Sequence, residues 1–138
     1  MVTGALIVMD LDRFKHVNDT WGHLVGDAVV RIIAVSAIRA QVRSYDVPCR
    51  IGGDEFAVIL PHTDLHHAVA VAERIRQSVL DAPTELAGVS RGTVGASLGV
   101  VSFVAGGVGP VDILARADRL MYVAKRQGGN LVSANGLA

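Results

Sequence analysis

Arg50-Ile51-Gly52-Gly53-Asp54-Glu55-Phe56 joins two short apolar runs, Cys49 to Ile51 after Pro48 and Phe56 to Leu60 before Pro61. Apolar runs on either side of a glycine pair predict a β-hairpin. Gly52 and Gly53 lack a β-carbon, so the turn can take positive φ and can let a bulky ligand come close. Asp54 and Glu55 fall at the turn's exit. Read alone, they are either an ordinary polar hairpin tip or hard oxygen ligands of the kind that hold Mg²⁺.

Upstream of the hairpin, Ala5 to Met9 is a continuous apolar run ending in Asp10, which predicts a strand buried on both faces. Polar, glycine-containing sequence from Asp12 to Gly26 predicts a loop. Asp27 then predicts the cap of a helix running to about Val42, with Val30, Ile33, Ala37 and Ile38 at helical spacing. Downstream, Asp64 predicts the cap of a helix whose Ala68, Ala72, Ile75 and Val79 form one apolar stripe. Asp81 to Gly92 predicts a loop with room for a small β excursion. Thr93 to Val104 predicts a strand in which Gly95 and Gly99 mark bends or close backbone approach. After the glycine-rich Ala105 to Pro110, a last helix starts at Pro110 or Asp112. It turns Ile113, Ala117, Met121 and Ala124 inward and stops at Gly128-Gly129. Asn130 to Ser133 predicts a final edge strand. The resulting order, β-α-β-β-α-β-α-β, predicts an α/β (α+β) fold. A mixed, mainly antiparallel sheet flanked by helices would form a ferredoxin-like core carrying an extra helix and strand.

A chain of 138 residues predicts a single domain spanning 1–138. With 13 basic and 13 acidic residues, bulk electrostatics offers no attraction to a nucleic-acid polymer or an anionic membrane, so an anionic ligand must be held locally. Half the residues are apolar and mean hydropathy is +0.42, yet no run approaches the length of a membrane span. The single Cys49 rules out an intramolecular disulfide and fits a cytoplasmic setting, whether or not the parent protein is membrane-anchored.

Asp10-Leu11-Asp12, where an apolar strand runs into a loop, reads equally as a turn cap or as ligands at a strand end. If the first strand lies beside the hairpin, Asp10-Leu11-Asp12 and Asp54-Glu55 fall on neighbouring strands and together make a divalent-metal site. His16, His23, His62, His66 and His67 follow no metal-ligand spacing. Phe14 and Trp21 read as packing residues, Asn18 as a turn residue.

The run from Asp10 to His23, followed by Gly26-Asp27, resembles the first motif block of GGDEF domains. Arg50 to Phe56 is similar to their signature, and Ala117-Asp118 with Tyr122-Val123-Ala124-Lys125 to their C-terminal block. The three blocks stand in the family's order and spacing across essentially the whole chain. The resemblance implies a nucleotidyl-cyclase-like core and a diguanylate cyclase, which condenses two GTP into cyclic di-GMP and releases two pyrophosphates. Each of two domains would hold one GTP, so a homodimer is expected for activity, with Mg²⁺ or Mn²⁺ as cofactor.

Carried over by resemblance, Asp10, the Leu11 carbonyl and Asp54 bind metal, with Glu55 as a further ligand or transition-state stabiliser. Asp54 is the expected general base. Backbone amides of Arg13, Phe14 and Lys15 meet the terminal phosphates, Lys125 reaches them as a point charge, and Gly53 lets the nucleotide lie over the hairpin. Asn18 and Asp27 select guanine. Arg43 and Asp46 resemble the RxxD inhibitory site that binds the product, with Arg74 adding a second arginine. The family places a basic residue where this chain has Gly129, which implies one lost phosphate contact. That loss leaves a second expectation open, a module that binds GTP or cyclic di-GMP without turnover. The family's helix and motif before the first strand are absent, so truncation at the N-terminus is expected. Attached sensor or receiver domains are the expected partners in the parent protein.

Overall fold

Strand β1, Thr3–Asp12, is the middle strand of the sheet and is buried on both faces, which is why its sequence is an unbroken apolar run. The computed structural model describes residues 3–135. After β1 come α1 (Phe14–Trp21), α2 (His23–Ile33), β2 (Val47–Arg50), β3 (Glu55–Pro61) and α3 (Leu65–Asp81). Then follow β4 (Gly95–Val104), α4 (Pro110–Arg126) and β5 (Leu131–Asn135). The sheet order is β2-β3-β1-β4-β5. All pairs are antiparallel except β4–β5. The expected mixed, mainly antiparallel sheet is therefore present, and the hairpin is β2–β3.

Alternation along β1 divides the core. Ala5, Ile7, Met9 and Leu11 pack with α1, α2 and α3, while Leu6 and Val8 pack with Ile113, Ala117 and Met121 of α4. Asp64 caps α3 by accepting the His67 N–H at 2.8 Å, and the stripe Ala68, Ala72, Ile75 and Val79 is buried. Gly99 is a close approach. A β-carbon there would lie 2.1 Å from the Ala117 carbonyl oxygen, so α4 rests directly on β4. Pro110 opens α4 at its first turn, and the helix closes in a Schellman turn: the Gly129 N–H donates to the Ala124 carbonyl and the Gly128 N–H to that of Lys125.

Four expectations are corrected. The polar stretch from Asp12 to Gly26 is not a loop: it holds α1 and the start of α2, separated by Gly22 at φ +91°. Only Phe14 and Val17 of α1 are buried, too few to create a helical period. Asp27 accordingly lies inside α2 and caps nothing. The helical course continues to Gln41, but through a widened turn over Ala34–Ile38 and a tight one over Arg39–Gln41. Ser36 Oγ takes the Ile32 carbonyl at 2.5 Å, which favours that distortion. Asp81 to Gly92 contains a short 3₁₀ turn, Thr84–Ala87, and no strand. Finally, neither Gly52 nor Gly53 has a positive φ. No helix among the described residues is long and apolar enough to cross a membrane.

Candidate active site

The β1–β3 register brings the two acidic motifs together. Asp10 pairs with Glu55 on one side and with Ser97 of β4 on the other. One residue on, the Leu11 N–H donates to the Asp54 carbonyl at 3.0 Å, so the hairpin turn is bonded to the end of β1. The turn owes its shape to hydrogen bonds. The N–H groups of Ile51 and Gly52 both donate to the Glu55 carbonyl, at 2.8 and 3.2 Å. The Arg50 guanidinium donates to the carbonyls of Gly52 and Gly53, at 3.0 and 2.6 Å. What the glycines supply is room: a β-carbon on Gly53 would meet nothing within 4 Å.

Asp10 carries the strongest electrostatic signature. Its Oδ2 lies 3.3 Å from Lys125 Nζ. Its Oδ1 is buried and, among the described residues, is the side-chain atom in that position with no hydrogen-bond partner. Burial pushes the carboxyl up to about 6; Lys125 opposes the rise, and the neighbouring Asp54 adds to it. Asp54 favours the neutral form of Asp10 first by its charge and then by accepting a hydrogen bond that only a protonated Asp10 can donate. Glu55 is also held above the ordinary carboxylate range, by burial first and then by the charges of Asp118 and Asp54. Burial pulls the Lys125 ammonium down, but Asp10 and Asp12 outweigh it and the net shift is upward.

Both oxygens of Asp12 accept hydrogen bonds. Its Oδ1 accepts from Ser97 Oγ at 2.7 Å and from Lys125 Nζ at 3.2 Å, and its Oδ2 accepts the Asn130 N–H at 2.7 Å. Arg13 follows in the left-handed region at φ +64° and starts α1; its guanidinium donates to the Gly92 carbonyl. Phe14 is buried, and Lys15 is exposed beside Asp19 at 3.4 Å. Trp21 is more than a third exposed and meets the His16 ring edge-on, so it is less enclosed than a packing residue. Asn18 packs against α2 where Gly26 leaves space: a β-carbon on Gly26 would sit 1.9 Å from Asn18 Oδ1. Asp27, next to Gly26, is exposed at the same α1–α2 contact.

The second cluster is closed on itself. Arg43 Nε and Nη2 fork onto Asp46 at 3.0 and 2.8 Å, and Nη2 also reaches Thr63 Oγ1 at 2.6 Å. The Asp46 side chain is 2% exposed, Arg43 43%. The guanidinium lies 4.5 Å from the Tyr45 ring centroid, and Arg74 is exposed on α3. Sequence reasoning missed Ser97, Asn130 and the turn-tying role of Arg50, and it gave no role to Asp118, which it named only within the C-terminal motif block. Ser97 carried one readable signal, a hydroxyl inside an apolar strand.

The family model for the diguanylate cyclase GGDEF domain matches residues 2–131. The chain belongs to the GGDEF-domain family. It is 43% identical over 129 residues to the response regulator PleD of Caulobacter vibrioides, a match covering 93% of this chain and 28% of that protein. To the diguanylate cyclase VdcA of Vibrio cholerae it is 40% identical over 130 residues, covering 93% of this chain and 38% of that one. The crystal structure of the GGDEF domain of DgcB from Caulobacter crescentus, in complex with c-di-GMP, superposes with a TM-score of 0.86. That match is at 34% identity, over 96% of this chain and 78% of that one. This GGDEF domain thus spans about a third of the length of these two curated relatives. The five-stranded mixed sheet with its flanking helices is the α+β, nucleotidyl-cyclase-like fold of those neighbours.

Proposed function

We propose that this GGDEF domain supplies half of a diguanylate cyclase site, holding one GTP against a second copy that holds the other. The observation that carries the reading is the buried, unpartnered Asp10 Oδ1 beside Asp54, with Lys125 on its other oxygen. A desolvated carboxylate with open lone pairs is what a hard cation requires. Among the described residues no three His, Cys, Asp or Glu side chains form a ready ligand cluster. Mg²⁺ or Mn²⁺ would therefore be held by Asp10, the Leu11 carbonyl and Asp54, with nucleotide phosphates completing the set. When bound, the cation neutralises phosphate charge and acidifies the attacking 3′-hydroxyl.

The chain's own groups do the rest. Lys125 presents a positive charge between Asp10 and Asp12, toward the phosphates. The first amides of α1, opened by the left-handed Arg13 with Phe14 and Lys15, face the terminal phosphates. Asn18 and Asp27 read the guanine edge from the α1–α2 contact. Of the hairpin carboxylates, Asp54 acts as the general base, and Glu55, held upward first by burial, serves as a further ligand or transition-state stabiliser. Product returns to Arg43, which Asp46 orients, with Arg74 as a second cation; that binding inhibits. Sensor or receiver domains would set the approach of two copies.

The test is incubation with GTP and Mg²⁺ followed by chromatographic assay of cyclic di-GMP. Formation that ends on adding a chelator supports the reading, and GTP binding without any product sinks it. Gly129 favours a second reading, a GTP- or cyclic di-GMP-binding module without turnover, because no side chain there can reach a phosphate.

A further inference from the structure

We propose that Asp12 is the positioning residue of this site: it anchors Lys125 and the turn over residues 128–130, and it does not bind metal. The inference rests on reading Asp10, Asp54 and Lys125 as the groups that handle the nucleotide.

Asp10 and Asp12 lie two residues apart on β1, yet their surroundings differ. Asp10 has one paired oxygen and one buried oxygen with no donor. Asp12 accepts three donors from three separate parts of the fold: Ser97 on β4, Lys125 on α4, and the Asn130 N–H at the entry to β5. A cation at Asp12 would compete with three donors already in place, whereas Asp10 Oδ1 offers its lone pairs outright. The two carboxylates therefore divide the work.

The turn beyond α4 is shaped around Asp12. Gly128, Gly129 and Asn130 take φ values of +114°, +76° and +51°, three left-handed residues in succession. A β-carbon on Gly129 would stand 2.9 Å from Asp12 Oδ2. This path aims the Asn130 N–H at the carboxylate, while Arg76 of α3, itself paired with Glu73 at 2.9 Å, holds Asn130 Oδ1 at 3.1 Å.

Lys125 is pinned between Asp10 at 3.3 Å and Asp12 at 3.2 Å. Once Asp10 engages a cation, its hold on the ammonium weakens. Asp12 is then the group that keeps a flexible lysine stem pointed into the site.

The experiment compares wild type, Asp12→Asn and Ser97→Ala by three readouts: turnover, Mn²⁺ affinity in the presence of a non-hydrolysable GTP analogue, and the ¹⁵Nζ resonance of Lys125. For Asp12→Asn the expected result is a fall in kcat of about tenfold or more with KM changed less than about threefold. Mn²⁺ affinity should stay within about twofold, and the ordered Lys125 ammonium signal should be lost. Ser97→Ala, which keeps the charge but removes one holder of Asp12, should show a weakened Lys125 signal and an intermediate kcat. A tenfold or greater loss of Mn²⁺ affinity in Asp12→Asn makes Asp12 a ligand and overturns the proposal. So does an unchanged Lys125 signal in both variants, or a kcat loss no larger than the loss of folded protein. Should Asp12→Asn not fold, Ser97→Ala decides by the same Lys125 signal. A wild type that makes no cyclic di-GMP overturns the functional reading instead, and the Mn²⁺ and ¹⁵N measurements still judge Asp12.

Discussion

Asp10 and Glu55 are direct partners across the antiparallel β1–β3 ladder. Like charges facing each other in a sheet destabilise it, and here Asp54 adds a third carboxylate. The Asp10 carboxyl is raised first by burial, Lys125 opposes that rise, and the charge of Asp54 adds to it. Removing the Asp10 charge therefore helps the empty fold while removing a ligand. Asp10→Asn should stabilise the cation-free protein at neutral pH by about 1–3 kcal/mol while abolishing turnover. Thermal melts with chelator, set beside a product assay, check both halves. A variant less stable than wild type would mean that the Lys125 pair outweighs the burial of Asp10.

The same residue gives a pH dependence. The folded protein holds the Asp10 proton more tightly than the unfolded chain, at about 6 against 3.8. Its contribution to stability is therefore full below the unfolded value and is lost as pH rises through the folded one. The raised Glu55 acts in the same direction. In chelator, the stability difference between Asp10→Asn and wild type should grow from about pH 4 to pH 6.5 and level off above it. Urea titrations across that range measure it. A difference that is constant with pH contradicts the assignment.

Much of this was readable from sequence, for identifiable reasons. Long elements with a clear period, such as the α3 stripe from Ala68 to Val79, declared themselves because burial on one face demands that spacing. The unbroken apolar run of β1 declared a strand buried on both faces, whereas its pairing with the hairpin stayed conditional until the structure placed Asp10 opposite Glu55. Short α1 was missed because tertiary contacts, not periodicity, hold its eight residues. The role of Asp12 was hidden because its three donors are 85, 113 and 118 positions away. No local pattern carries such a contact.

Gly99 tests the packing of α4. A β-carbon there would meet the Ala117 carbonyl oxygen at 2.1 Å and the Met121 nitrogen at 2.5 Å, both backbone atoms that cannot yield without moving the helix. Gly99→Ala should destabilise by about 3 kcal/mol or more. Because Lys125 rides on α4, its resonance should shift as well. Denaturant unfolding checks the first effect, and a near-neutral result would place α4 farther from the sheet than described.

Arg43 tests the closed arginine–aspartate pair. Asp46 is nearly fully buried beneath the guanidinium, so Arg43→Ala leaves a buried carboxylate whose remaining donor among the described residues is the residue 43 amide. A loss of about 2 kcal/mol is expected. If the product returns to this arginine, the same variant needs far more cyclic di-GMP for half-inhibition while its initial rate is kept. Initial rates titrated with cyclic di-GMP decide it, and unchanged inhibition removes Arg43 from the product site.

Gly53 separates folding from ligand approach. Its φ is not in the left-handed region, and a β-carbon on it meets nothing within 4 Å. The bonds that shape the turn come from Arg50 and from the N–H groups of Ile51 and Gly52, none of which needs residue 53 to be glycine. Gly53→Val should therefore leave stability within about 0.5 kcal/mol of wild type. If the open space above the turn is where the nucleotide lies, the added isopropyl group occupies it, and GTP affinity should fall tenfold or more. Calorimetric titration of GTP beside a thermal melt reads both. Intact affinity would move the nucleotide off the hairpin, and a large loss of stability would show that the turn itself requires glycine.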